Sequence, residues 1–166
     1  MTNAAAFSGG YVANLGPSVE GFLLPAVDDE SRSFWEGTLL DELRIQFCKA
    51  CGRLRHPPRP MCPHCRSTER GWQEVSGRGT VWSYAVPHPP LLKPYAEIAP
   101  YNVIVVALDD HPTIRFVGNL VTGPQGALNG VDPNSIRIGE PVEVVFKRFG
   151  RAGGSEEALP FWIRAR

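Results

Sequence analysis

Cys48-Lys49-Ala50-Cys51 and Cys62-Pro63-His64-Cys65, separated by ten residues, contain every cysteine of the 166-residue chain. Two Cys-x-x-Cys pairs joined by a short hairpin are the spacing a tetrahedral metal site requires. Each pair turns both sulfurs toward one ion, and four thiolates close the shell of a zinc ion at about 2.3 Å. Gly52 supplies permissive backbone directly after the second cysteine. The same ligands suit a rubredoxin-type iron or an iron–sulfur cluster, and two disulfides are a further pairing. The disulfide reading is the poorer one. All four cysteines fall within 18 residues, and no Lys or Arg precedes Arg32 to begin a secretion signal. One structural zinc ion held by Cys48, Cys51, Cys62 and Cys65 is the expectation. A closed shell leaves that ion no catalytic position. His64, between two ligands, reads as a solvated knuckle residue.

The hairpin at residues 53–61 (RLRHPPRPM) has too little apolar mass to hold itself together. Metal binding in such ribbons supplies roughly 10–16 kcal/mol of apparent folding energy. Leu43, Ile45 and Phe47 alternate with Arg44 and Gln46, which predicts a strand entering the first knuckle. Upstream, residues 29–41 read as a short helix. Asp28 or Asp29 can cap it, and Phe34, Trp35 and Leu39 fall at helical spacing. Gly37 weakens that helix by roughly 1 kcal/mol. Residues 1–27 have no period and read as an extended arm, apolar at Phe7, Tyr11, Val12, Leu15, Phe22, Leu23 and Leu24.

Past Trp72 the texture is all β. Strands are predicted at residues 80–86, 102–109, 113–121, 142–149 and 160–166, with turn residues between them. Five short strands suggest a small closed barrel, which removes exposed edges, and the five-stranded OB-fold is the commonest candidate. The expected division is an arm at 1–27, a helix at 28–42, a metal ribbon at 43–70 and the barrel at 71–166. The fold class is mainly β.

Lys and Arg number 17 and so do Asp and Glu, for zero net charge. That balance argues against a polycationic nucleic-acid or membrane binder. The charge is uneven. Residues 20–42 carry seven acidic side chains against Arg32, and residues 44–70 carry seven basic ones against Glu69. Cations near a four-thiolate metal offset its net negative charge, so part of this excess serves the site. No apolar run reaches the ~20 residues of a membrane-spanning helix, and a reducing cytoplasm is the natural setting. No nucleophile–base–acid constellation is visible. His88 and His111 sit in proline-containing turns. Asp109-Asp110 reads as a local cap. Ser76-Gly77-Arg78-Gly79-Thr80 enters a strand, so it lacks the helix N-terminus of a phosphate loop.

The order of motifs carries a resemblance. Phe34-Trp35-Glu36 is followed by Leu43-Arg44-Ile45-Gln46-Phe47-Cys48 with Cys51-Gly52, then Pro57-Pro58-Arg59-Pro60 with Cys62-Pro63 and Cys65. Ser76-Gly77-Arg78-Gly79-Thr80-Val81-Trp82-Ser83-Tyr84 and Ile138-Gly139-Glu140-Pro141-Val142-Glu143-Val144 complete it. Over residues 28–166 the chain resembles a domain-of-unknown-function family. Its members join an N-terminal helix, a rubredoxin-like zinc ribbon and a C-terminal OB-fold. Asp41 stands where that family has a glycine. The resemblance implies a non-catalytic accessory subunit of thiolase-like enzymes acting on acyl-CoA, among them sterol-carrier-type thiolases that cleave steroid side chains by retro-aldol chemistry. The partner supplies the catalytic residues. The small subunit supports partner folding and helps form the CoA channel, and a two-plus-two heterotetramer is the simplest assembly.

On that reading the arm, Phe34 and Trp35 on the helix, and Leu91, Leu92 and Tyr95 in the proline-rich loop 87–100 are the expected partner contacts. Arg53, Arg55 and Arg59 are the expected contacts of a CoA phosphate. The alternative is single-stranded nucleic-acid binding by the OB-fold, with Trp82 and Tyr84 on one strand face as stacking platforms. The barrel half, with nine charges of each sign, is poorly suited to tracking phosphates.

Overall fold

The computed structural model describes residues 24–150 and 156–165. Residues 1–23 of the expected arm lie outside them. Asp28 begins the described helical region by accepting the Ser31 amide at 2.7 Å. Helix α1 follows at Arg32–Leu39, shorter than the predicted span. It ends where Asp41 turns to φ +60° and the amides of Leu40 and Glu42 both donate to the Gly37 carbonyl at 2.9 Å. Gly37 costs the helix stability but permits its packing: a Cβ there would lie 2.7 Å from Arg44 Cδ.

The ribbon is a three-stranded antiparallel sheet in the order β2-β1-β3, with β1 at Leu43–Cys48, β2 at Leu54–Arg55 and β3 at Arg70–Val75. β3 pairs with all of β1, from Leu43 opposite Val75 to Cys48 opposite Arg70. The ribbon's sheet therefore continues past residue 70 to Val75.

The remaining strands are β4 (Arg78–Ala85), β5 (Val103–Leu108), β6 (Arg115–Gly118), β7 (Pro141–Gly150) and β8 (Glu156–Arg164). They form one antiparallel sheet in the order β6-β5-β4-β7-β8. A parallel bridge from Leu120 to Trp162 curls that sheet closed. The Val121 amide donates to the Trp162 carbonyl at 2.8 Å, and the Trp162 amide to the Asn119 carbonyl at 3.0 Å. Asn102 is fully buried and clamps this seam. Its Oδ1 accepts the Leu120 amide at 2.7 Å and its Nδ2 donates to the Leu120 carbonyl at 2.9 Å. The result is a mainly β, OB-type barrel behind a helix and a ribbon, as the strand pattern predicts.

One core runs through all three parts. Ile104, Val106, Leu120 and Trp162 fill the barrel and are continuous with Phe34 of the helix and Leu43 and Ile45 of the ribbon. A second cluster coats the barrel's outside, where Leu24, Ile98, Tyr101 and Phe149 pack on Phe161. Helix α2, at Lys93–Ile98, sits over it in what the sequence suggests is only a loop. Arg148 of β7 ties the barrel to the end of α1: its guanidinium donates to both Asp41 carboxylate oxygens and to the Leu39 carbonyl at 2.9 Å. Among the described residues no helix is long and apolar enough to cross a membrane.

Candidate metal centre and the junction beside it

The two knuckles are built alike. In the first, the Cys48 amide donates to the Arg53 carbonyl at 2.9 Å and the Gly52 amide to the Cys48 carbonyl at 2.8 Å. In the second, the Cys62 amide donates to the Ser67 carbonyl at 2.8 Å and the Arg66 amide to the Cys62 carbonyl at 2.9 Å. The residue after the second cysteine is left-handed in both, Gly52 at φ +72° and Arg66 at φ +63°. Glycine takes this conformation freely, whereas a side chain costs roughly 1–2 kcal/mol there. Gly52 marked its turn in the sequence, and Arg66 gave no such signal.

These turns bring the four sulfurs within 4.8 Å of one another. Cys48 and Cys65 lie 3.5 Å apart, and Cys51 and Cys62 lie 3.8 Å apart. A tetrahedron with 2.3 Å metal–sulfur bonds has edges of about 3.8 Å, whereas a disulfide brings its sulfurs to about 2.05 Å. The cluster has the size of a four-thiolate ion site, and the cysteines are free. The charge chemistry agrees. Amides of Cys65 and His64 pull the Cys62 thiol down to about 6. At Cys65 the Ser67 amide favours the thiolate, yet the sulfurs of Cys48, Cys51 and Cys62 push it up to about 12. Four thiolates this close repel one another, and a cation among them resolves the conflict. His64 is exposed between the ligands.

The acidic and basic segments partly neutralise each other. Arg70 pairs with Glu30 at 3.1 Å, and Arg44 with Glu42 at 2.6 Å. Of the three arginines expected to meet a phosphate, Arg53 and Arg59 are exposed. Arg55 is not: it is 8% exposed and spent inside the ribbon. It stands opposite Gln46 in the β1–β2 register, and its Nε donates to the Gln46 Oε1, which also accepts the Arg59 amide at 3.0 Å. Arg55 positions the hairpin and cannot reach a surface ligand.

The expected partner contacts also separate. Phe34 is buried in the chain's own core, edge-on to Trp35 at 4.7 Å and stacked 6.1 Å from Phe116 of β6, so it offers a partner no surface. Trp35 is half-buried. Leu91 and Tyr95 pack against the second core, while Leu92 projects at 64% exposure.

On β4 a register shift at Trp82 breaks the alternation expected to put Trp82 and Tyr84 on one face. Ser83 lies opposite Val105, and Tyr84 opposite the buried Ile104. Trp82 instead carries the Arg115 guanidinium 4.3 Å above its ring. Asp110 is a cap, as its turn position predicts: it accepts the Ser76 amide at 3.0 Å, and that bonding lowers its pKa. His56 had no signal in the sequence. Its ring packs 3.9 Å from Phe116 and 5.6 Å from Phe34, and burial pushes its pKa down to about 4, so it is neutral near pH 7.

Residues 35–69 match the family model described as the ChsH2 rubredoxin-like zinc ribbon domain. Residues 72–147 match the one described as the ChsH2 C-terminal OB-fold domain. The chain is 41% identical over 118 residues to a probable enoyl-CoA hydratase alpha subunit of Thermomonospora curvata. It is 33% identical over 130 residues to the 3-oxo-4,17-pregnadiene-20-carboxyl-CoA hydratase alpha subunit of Mycobacterium tuberculosis. Those matches cover 71% and 78% of the chain but 33% and 38% of the relatives, so it spans only about a third of their length. A DUF35 domain-containing scaffold protein of Methanocaldococcus jannaschii is 34% identical over 107 residues, 64% of this chain and 68% of that one. A solved structure described as "Ltp2-ChsH2(DUF35) aldolase" superposes with a TM-score of 0.65 at 34% identity, covering 86% of this chain and 100% of that one.

Proposed function

Because the chain belongs to the DUF35 family of rubredoxin-like ribbon and OB-fold proteins, we propose that it is a non-catalytic accessory subunit of a thiolase-like enzyme acting on acyl-CoA esters. The observation that carries this is the match over the whole of a chain from an aldolase assembly. The four-cysteine centre holds one structural zinc ion and fixes the ribbon against the barrel. The chain supports folding of its partner and contributes to the CoA channel, where the exposed Arg53 and Arg59 meet a phosphate. Leu92 and the surrounding segment 87–100, with Trp35, face the partner. The assembly is a two-plus-two heterotetramer in the cytoplasm, and its reaction is retro-aldol cleavage of an acyl-CoA side chain such as that of a steroid.

Co-expression of the full chain with a thiolase-like subunit encoded beside it tests the reading. Retro-aldol activity present in the mixture and absent from either part is expected. Unchanged partner activity, together with salt-dependent binding of single-stranded DNA by this chain, would replace the reading with nucleic-acid binding.

A further inference from the structure

Strand β3 is an outer strand of the ribbon sheet, whose order is β2-β1-β3. The barrel's outer strands close on each other through the Leu120–Trp162 bridge, and the other outer strand of the ribbon, β2, is only two residues long. β3 runs for six residues, and among the described residues no strand pairs with its far edge.

The hydrogen-bond pattern fixes which groups that edge offers. In an antiparallel pair, residues alternate between bonding their neighbour strand and turning their N–H and C=O away from it. The Lys49 amide donates to the Glu69 carbonyl at 3.1 Å. Counting on by twos, Gly71, Gln73 and Val75 bond β1, while Arg70, Trp72 and Glu74 turn their backbone groups outward. The next residue in the outward set, Ser76, agrees: its amide leaves the ribbon for Asp110 at 3.0 Å.

Proteins blunt free edges with lysine, proline or bulges. β3 reads Arg-Gly-Trp-Gln-Glu-Val, without lysine or proline, and its register with β1 is unbroken. Its two charges are opposite in sign and stand two residues either side of Trp72. All three outward residues lie on one face of the strand. Glu74 is exposed and has no ion pair with any described residue. Arg70 meets Glu30 through one nitrogen at 3.1 Å, and its side chain stays 34% exposed.

We propose that β3 is a self-recognition edge, along which a second copy of this chain pairs antiparallel about a two-fold axis at Trp72. In that register Arg70 of each copy stands opposite Glu74 of the other, and Trp72 opposite Trp72. The three outward residues of each copy then bond one another, and two three-stranded ribbons become one six-stranded sheet. An edge whose charge pattern is its own complement fits a second copy, since an isologous contact requires self-complementarity. The contact goes beyond the scaffold role and does not depend on a partner enzyme.

Sedimentation velocity of the metal-loaded full chain, without any other protein, tests it. One strand edge is a small interface, so a dimer half-formed at about 10–100 µM is expected. Glu74→Arg sets like charges opposite each other twice and should weaken the dimer by about tenfold, with circular dichroism and metal content unchanged. Arg70→Glu should do the same with the opposite sign. An equimolar mixture of the two variants restores both opposite-charge pairs and should recover the dimer, a result that general loss of stability would not give. A chain still monomeric at about 300 µM would overturn the proposal. So would a dimer indifferent to Glu74→Arg, or variants that each fold and dimerise no better when mixed. Dimers that emerge only after deletion of residues 1–23 would overturn it too, because the edge would then belong to the chain's own N-terminal segment.

Discussion

The ribbon buries Leu43, Ile45 and Val75 in the core it shares with the barrel, and the rest of it is four sulfurs and a hairpin rich in proline and arginine. The barrel closes around Ile104, Leu120 and Trp162 and carries a second apolar layer outside. Units below about 40 residues rarely stabilise themselves by apolar burial alone and turn to metals or disulfides. The ribbon is such a unit and the barrel is not. The stability of one therefore follows the metal concentration in solution, and that of the other follows its packing. The shared core couples them without making them equal.

The largest expected effect comes from removing the metal. Chelation, or Cys62→Ser, withdraws a binding energy of roughly 10–16 kcal/mol. Amide hydrogen exchange should then show protection lost over residues 43–75 and retained in β5 and β7. Simultaneous loss in β5 and β7 would break the contrast, since ribbon and barrel would be one cooperative unit.

Next is Trp162→Ala, which empties the barrel's centre at a cost of about 3–5 kcal/mol. Urea unfolding should register that loss, while the metal bound per folded chain stays unchanged.

The junction between the two units responds to acid. The folded His56 has its pKa depressed to about 4, below the ordinary 6.5. The unfolded chain therefore binds the extra proton between those values. This contribution is whole above about pH 6.5 and is lost as pH falls toward 4, reaching about 2 kcal/mol by pH 5. Urea midpoints at pH 7 and pH 5 should differ in the native chain and differ less in His56→Phe. An equal difference in both would place the acid sensitivity elsewhere.

The smallest effect compares the two knuckles directly. Arg66→Gly relieves left-handed backbone strain and should stabilise the second knuckle by about 0.5–1 kcal/mol. Slower metal transfer to a chelator would register it.

The cysteines were legible because metal ligation imposes spacing on the chain itself. The barrel strands were legible because apolar runs such as residues 102–109 are punctuated by turn residues such as Asp110-His111-Pro112. Other features lacked a local cause. β3 is half-exposed on both faces and shows no clean alternation, so its membership in the ribbon depends on pairing with β1. α2 begins Lys-Pro-Tyr, and proline at a first helical turn resembles proline in a loop. His56 and Arg55 look like surface residues of a polar hairpin. What buries them is the approach of β6 and of Gln46 across the sheet, which are tertiary events. The irregularity at Trp82 likewise shifts a register that simple alternation cannot anticipate.

Native mass spectrometry of this chain co-expressed with the thiolase-like subunit proposed as its partner tests the scaffold role most directly. Equal numbers of the two chains, with one zinc ion for each copy of this one, are predicted. A neighbour that assembles fully without this chain, while this chain remains apart with its metal bound, would contradict that role.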